Sequence, residues 1–197
     1  MDRVRELINE IKEYGINNHV PIMSEDTIDK INEIINKNNI NSILEIGTAI
    51  GYSTICFANN SCVKNITSIE RDNERFNIAE LNVKKSKLSN IKLIHDDALD
   101  VNINDKFDLI IIDAAKSQNL NFLNKYKVNL NDSGIIIIDN LSFHGLVGKS
   151  NEIKSRNLRQ MVRKIEKFIT FLDNNTEYDV EYIEVGDRLG VCKRKNL

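Results

Sequence analysis

This sequence predicts an α/β domain with a doubly wound, mostly parallel sheet of seven strands, and three observations carry that prediction. From residue 42 onward, short apolar runs alternate with helix-patterned segments. Two of the runs, Phe107–Ile112 and Ile135–Ile138, are almost continuously apolar, as parallel strands covered on both faces must be. The residues that follow the runs are polar or glycine, and in open α/β sheets that is where ligands collect.

Each element follows from its own pattern. Val4, Leu7, Ile8 and Ile11 recur at helical spacing and predict a helix over about residues 2–13. Ser24 can cap a second helix whose apolar stripe is Ile28, Ile31, Ile34 and Ile35. These two helices make an N-terminal cap over residues 1–40, ahead of a core over 41–197, within a single domain of 1–197. The core runs strand 42–46, helix about 51–59, strand 65–70, helix about 72–87 and strand 91–95. It continues with strand 107–112, helix about 118–128 and strand 134–139. A long helix over about 151–173 precedes two strands, 178–185 and 189–193, joined at Gly186-Asp187. That closing hairpin predicts an antiparallel last strand.

Composition narrows the classes of function. A chain of 197 residues can bury about 70% of its unfolded surface in one core. A formal charge of −2 gives no global affinity for polyanions. Cys56, Cys62 and Cys192 show no paired spacing, which argues against a disulfide framework or a structural zinc site. Reduced thiols of a cytoplasmic protein are the expectation. No apolar run approaches the ~20 residues of a membrane span, and the N-terminus lacks a signal-peptide apolar core.

The segment Leu44-Glu45-Ile46-Gly47-Thr48-Ala49-Ile50-Gly51-Tyr52-Ser53 carries the first chemical signal. A strand enters two glycines four apart and then a helix, with Glu70 about twenty residues on at the end of the next strand. That layout suits a nucleoside, the carboxylate accepting from ribose hydroxyls. Ala49 replaces the glycine that a pyrophosphate would need, so a dinucleotide fits less well. Each part also fits a plainer account: a strand-to-helix turn for the glycines, and a strand end before a helix cap for Glu70. Asp97-Ala98, after the third strand, adds a contact for an adenine edge.

Asp113, Lys116, Asp139 and Asn140 follow two adjacent apolar strands. Two carboxylates and an amide oxygen are hard ligands, in a number that suits Mg²⁺ with positions left for water or substrate. Lys116 can reach the same space as a base. Asp139-Asn140 alone also fits a turn, and Lys116 alone an exposed lysine.

Together these segments resemble the S-adenosylmethionine-dependent, divalent-cation-dependent O-methyltransferases of the catechol and caffeoyl-CoA type. The resemblance runs from Pro21-Ile22-Met23-Ser24 to the last strand and includes the Gly47–Ser53 loop, with its Gly-Tyr-Ser ending, and Asp96-Asp97-Ala98-Leu99. It continues through Phe107–Lys116 and Gly134–Asn140. It implies a Rossmann-like methyltransferase sheet in which Met23, Glu45, Gly47, Ser53, Glu70, Asp97, Ala98 and Asp113 line an S-adenosylmethionine pocket. Asp113, Asp139 and Asn140 would hold Mg²⁺ (or Mn²⁺), Lys116 would be the base, and the chain would form a homodimer.

Among family members the chain most resembles the short bacterial ones, including the tRNA 5-hydroxyuridine methyltransferase type. That resemblance implies tRNA as the methyl acceptor, with a small catechol or caffeoyl-CoA-like molecule as the alternative. Lys149–Lys167 holds seven basic and two acidic residues, a local charge of +5. Arg156, Arg159, Arg163 and Lys167 fall on one helical face and suit phosphate contacts, as they also suit an ordinary solvated face. Leu158, Met161, Val162, Ile165 and Ile169 are expected on the buried face. Arg188 stands where relatives commonly carry glycine, which predicts a differently shaped hairpin, and His144, just after the metal motif, is read as a loop histidine ahead of a residue that approaches the substrate. A nicotinamide-dependent oxidoreductase is the competing class of answer, against which the missing GxGxxG speaks.

Overall fold

The computed structural model describes residues 2–195, so Met1, Asn196 and Leu197 of the expected domain lie outside the described residues. The chain runs α1 (Asp2–Asn17), α2 (Glu25–Lys37), β1 (Ser42–Ile46), α3 (Tyr52–Ala58), β2 (Asn65–Glu70), α4 (Asn73–Ser86) and β3 (Ile91–His95). It continues with β4 (Phe107–Ile112), α5 (Asn119–Tyr126), β5 (Leu130–Ile138), α6 (Arg156–Asn174), β6 (Tyr178–Ile183) and β7 (Leu189–Arg194). Short 3-10 turns cover Lys116–Gln118, Lys127–Asn129 and Ser150–Glu152.

The seven strands pair in the order β3-β2-β1-β4-β5-β7-β6. Strand β7 runs antiparallel to both of its neighbours, and the pairs from β3 to β5 are parallel. This matches the expected sheet and its antiparallel last strand. Because strand side chains alternate, the apolar runs feed two cores. Ile43, Leu109, Ile111, Ile135 and Ile137 face α1 to α3. Leu44, Ile46, Ile110, Ile112, Ile136 and Ile138 face α5 and α6. Both faces are covered, which is why the strands read as unbroken apolar runs.

Several boundaries differ from expectation. Strand β5 begins at Leu130, because Leu130 pairs with Phe107 before a register shift lets Ile135 pair with Leu109. The long helix splits into a 3-10 turn and α6, which starts where the Ser155 hydroxyl accepts from the Leu158 amide. Its buried residues are Val162, Ile165, Phe168 and Leu172, while Leu158, Met161 and Ile169 are half-buried at the flanks. The chain climbs from β1 out to β3 and then returns to place β4 beside β1, so the strand order reverses between β1 and β4. Open sheets of this kind bind ligands at that reversal.

Candidate active site

A cavity of about 790 Å³ opens at the carboxyl ends of the strands, beside the β1–β4 reversal. Its floor is the loop from β1 to α3. Gly47 sits at φ +107, and a Cβ there would lie 2.1 Å from the Asp113 carbonyl oxygen. The glycine is therefore required first by the neighbouring strand end, not only by a ligand. At Gly51 the demand is φ +84, since a Cβ would meet Ala79 at an ordinary 3.5 Å.

At one end of the cavity lie Met23, Ser53, Glu70, Asp97 and Ala98, with Arg71 and Arg75 at the side. The Glu70 carboxylate is fixed by amides on both sides, Ala49 at 2.8 Å and Asp72 at 2.9 Å. Each oxygen keeps a free lone pair, the acceptor a ribose diol needs. Asp97 accepts from the Leu99 amide at 2.9 Å and from Arg71 at 3.3 Å, and these contacts hold its carboxyl below the usual range against the cost of desolvation.

Glu45 departs from expectation. It is fully buried beneath the floor and does not line the cavity. Its carboxylate accepts from Ser53 and Ser68 at 2.6 Å each and from Thr54. Ser68 also bonds Thr48 at 2.6 Å, so β1, β2, the glycine loop and α3 share one polar knot. Burial raises the Glu45 carboxyl above the ordinary value, and the three hydroxyls only partly offset that. The linear pattern showed the glutamate but not the three hydroxyls that claim it.

At the other end Asp113, Lys116, Asp139 and Asn140 come together in the cavity wall. Paired strands bring them there: the Asp113 amide donates to the Ile46 carbonyl at 2.9 Å and the Asp139 amide to the Ile112 carbonyl at 3.1 Å. Lys116, in the 3-10 turn, donates to the Asp113 carboxylate. Asn140 adopts φ +62, and its amide bonds the Asp139 side chain at 2.6 Å. Desolvation, and then the charge of Asp113, raise the Asp139 carboxyl. Two carboxylates in a poorly hydrated corner with a single ammonium leave negative charge uncompensated, and oxygen donors fit a hard divalent cation. Among the described residues no group of three or more His, Cys, Asp or Glu side chains is placed to hold a metal ion.

Phe143, His144, Gly186 and Asp187 close the rim beside these residues, and none of the four was among the expected site residues. Turn residues far apart in sequence carry no periodic signal that would join them. Arg188 adopts φ +67, the region a glycine would occupy there, so the hairpin keeps a glycine-like turn. Its guanidinium rests 4.5 Å from the Tyr182 ring centre. None of Arg156, Arg159, Arg163 and Lys167 lines the cavity. Arg156, Arg163 and Lys167 are exposed, whereas Arg159 is half-buried and bonds the Lys154 carbonyl at 3.3 Å.

Known proteins share this fold. The crystal structure of a candidate caffeoyl-CoA O-methyltransferase from Staphylococcus aureus superposes with TM-score 0.91 at 36% identity, covering 95% of this chain and 92% of that one. A candidate caffeoyl-CoA O-methyltransferase of Arabidopsis thaliana is 28% identical over 98% of this chain and 88% of its own length. In fold alone, a Podospora anserina methyltransferase solved with S-adenosylhomocysteine is similar, with TM-score 0.86 at 22% identity over 100% of this chain and 89% of that one. The O-methyltransferase family model matches residues 2–195, and the chain therefore belongs to that family, enzymes that move a methyl group from S-adenosylmethionine to oxygen.

Proposed function

We propose that this enzyme methylates one hydroxyl of a small aromatic molecule carrying two neighbouring oxygens, using S-adenosylmethionine and a divalent cation such as Mg²⁺. The observation that carries the reading is the meeting of Asp113, Lys116, Asp139 and Asn140 in the wall of a cavity whose other end presents Glu70 and Asp97. Glu70 would receive the ribose hydroxyls and Asp97 the adenine edge, with Met23, Gly47, Ser53 and Ala98 packed around them. Asp113, Asp139 and Asn140 would hold the cation, whose charge favours the oxyanion form of an acceptor hydroxyl.

Lys116 would act from its neutral amine form, having released one ammonium proton to solvent, and would then take the acceptor proton on Nζ. Bound S-adenosylmethionine would supply the methyl group to the acceptor oxygen, the C–S electron pair staying with sulfur, while Glu70 and Asp97 would hold its nucleoside in line. Vicinal oxygens suit a cation that keeps two adjacent positions free. Relatives named for caffeoyl-CoA support a small acceptor before tRNA. A tRNA acceptor stands second, on the exposed Arg156, Arg163 and Lys167 of α6. Incubation with methyl-labelled S-adenosylmethionine, Mg²⁺ and either caffeic acid and its CoA thioester or undermodified tRNA separates the two. We expect label in the catechols and its loss with EDTA. Label only in tRNA would reverse the order, and full turnover in EDTA would refute the cation.

A further inference from the structure

We infer that Asp187, in the β6–β7 turn, is the positioning residue of the acceptor wall: it holds Phe143 and His144 in place beside the acceptor end of the cavity. The assignment of that end rests on the proposed O-methylation, while the clamp itself rests on geometry alone.

Residues 140–148, which follow β5, keep an unusual backbone. Asn140, Phe143 and His144 have φ of +62, +46 and +55, in the left-handed region that residues with a Cβ seldom occupy. Such a conformation persists only where its surroundings over-determine it. Here the β6–β7 turn does so. The His144 amide donates to both oxygens of Asp187, at 2.8 and 2.9 Å. The Ser142 amide donates to the Asp187 carbonyl at 3.0 Å and the Leu141 amide to the Arg188 carbonyl at 3.0 Å. The far end of the loop is tied separately, where the Gly148 amide bonds Glu166 of α6 at 2.9 Å.

The turn is itself seated from the opposite side. A Cβ at Gly186 would lie 2.1 Å from the Thr27 hydroxyl and 3.0 Å from that of Ser24, at the start of α2. The β6–β7 turn is therefore wedged between α2 and the loop after β5, and both line the cavity. Among the described residues, the side chain that reaches across from this wedge to bind the loop backbone is the Asp187 carboxylate, which is 16% exposed. The Phe143 and His144 rings that it positions lie 5.4 Å apart and tilted by 49°. A planar acceptor would rest against them, so their placement would decide which of two neighbouring hydroxyls faces the methyl donor.

The test uses the full chain with Asp187→Ala and Asp187→Asn, the latter keeping one oxygen acceptor for the His144 amide. Hydrogen exchange without acceptor reads the clamp. We expect His144 amide protection to fall about tenfold or more in Asp187→Ala and to recover partly in Asp187→Asn. With caffeic acid as probe, the ratio of the two monomethyl products should shift and KM rise roughly tenfold in Asp187→Ala. The Kd for S-adenosylhomocysteine should stay close to that of the unaltered chain. Unchanged His144 protection in Asp187→Ala would overturn the clamp. Faster exchange with an unchanged product ratio and KM would overturn its role in the acceptor wall. Absence of catechol methylation by the unaltered chain would count against the proposed function, and hydrogen exchange would still decide the clamp.

Discussion

Lys116 and Glu45 show how neighbours set what a charged residue can do. Among the described residues Lys116 forms its ion pair with Asp113, and the two share the wall with Asp139. If Lys116 takes the acceptor proton, Lys116→Ala should lower kcat by about 10²-fold or more. Steady-state kinetics with calorimetric binding of S-adenosylhomocysteine would check this, the Kd staying near its original value. Glu45 is the opposite case, a carboxyl held away from water by three hydroxyls. Its raised folded value means that the native state binds its proton more tightly than the unfolded chain does. The contribution is therefore present below the ordinary Glu value of 4.5 and lost as the pH climbs from there through the folded value. Glu45→Gln keeps an acceptor oxygen, and its amide can donate to a hydroxyl. Urea unfolding across that window should show the pH slope flattened in the variant and stability at neutral pH equal to or above that of the unaltered chain. A slope unchanged by the substitution would contradict the assignment.

Asp108 does comparable work between elements. Its carboxylate accepts from the Asn41 amide at 3.0 Å, the Ser42 amide at 3.1 Å, the Ser42 hydroxyl at 3.0 Å and the Asn131 side chain at 2.7 Å. It thus joins the start of β1 to β4 and β5 at the end of the sheet away from the cavity. Desolvation pushes its carboxyl up, but these bonds together outweigh it and leave the value lowered. The stabilisation is complete above the ordinary aspartate value and is lost as the pH falls through the folded one. Asp108→Ala strands two backbone amides and should cost about 1–3 kcal/mol, measured as a lower urea midpoint at neutral pH. Methyl-transfer KM should change little, since the site is at the opposite end of the strands. At this scale most elements were legible, because period-2 and period-3.6 patterns are local. The start of β5 was not: Asn131, Asp132 and Ser133 break the apolar run, and only pairing with Phe107 makes Leu130 part of the strand.

Across the whole molecule, the sheet order brings residues from all parts of the chain to one cavity. Met23 comes from before α2, the glycine loop from β1, Asp113 from β4, and Asp187 from the last turn. A ligand that binds only this assembled cavity must stabilise the fold by mass action. S-adenosylhomocysteine at about 100 times its Kd should add about 2.7 kcal/mol, read as a higher melting temperature. In Glu70→Ala that increment should shrink, and an undiminished one would remove Glu70 from the nucleoside end. Among the described residues no helix is long and apolar enough to cross a membrane.

By itself the sequence determined the alternating architecture, the antiparallel last strand, and the residues that follow each strand. Those features rest on local periodicity and on motifs confined to a few consecutive residues. Tertiary structure alone decided that Glu45 lies under the floor, that Gly47 yields to the Asp113 carbonyl, and that the α6 arginines stay outside the cavity. It also decided that Asp187 reaches the His144 amide. Each of these outcomes depends on a contact between segments far apart in the chain. Such contacts arise from sheet order and packing, and no spacing along the sequence encodes them.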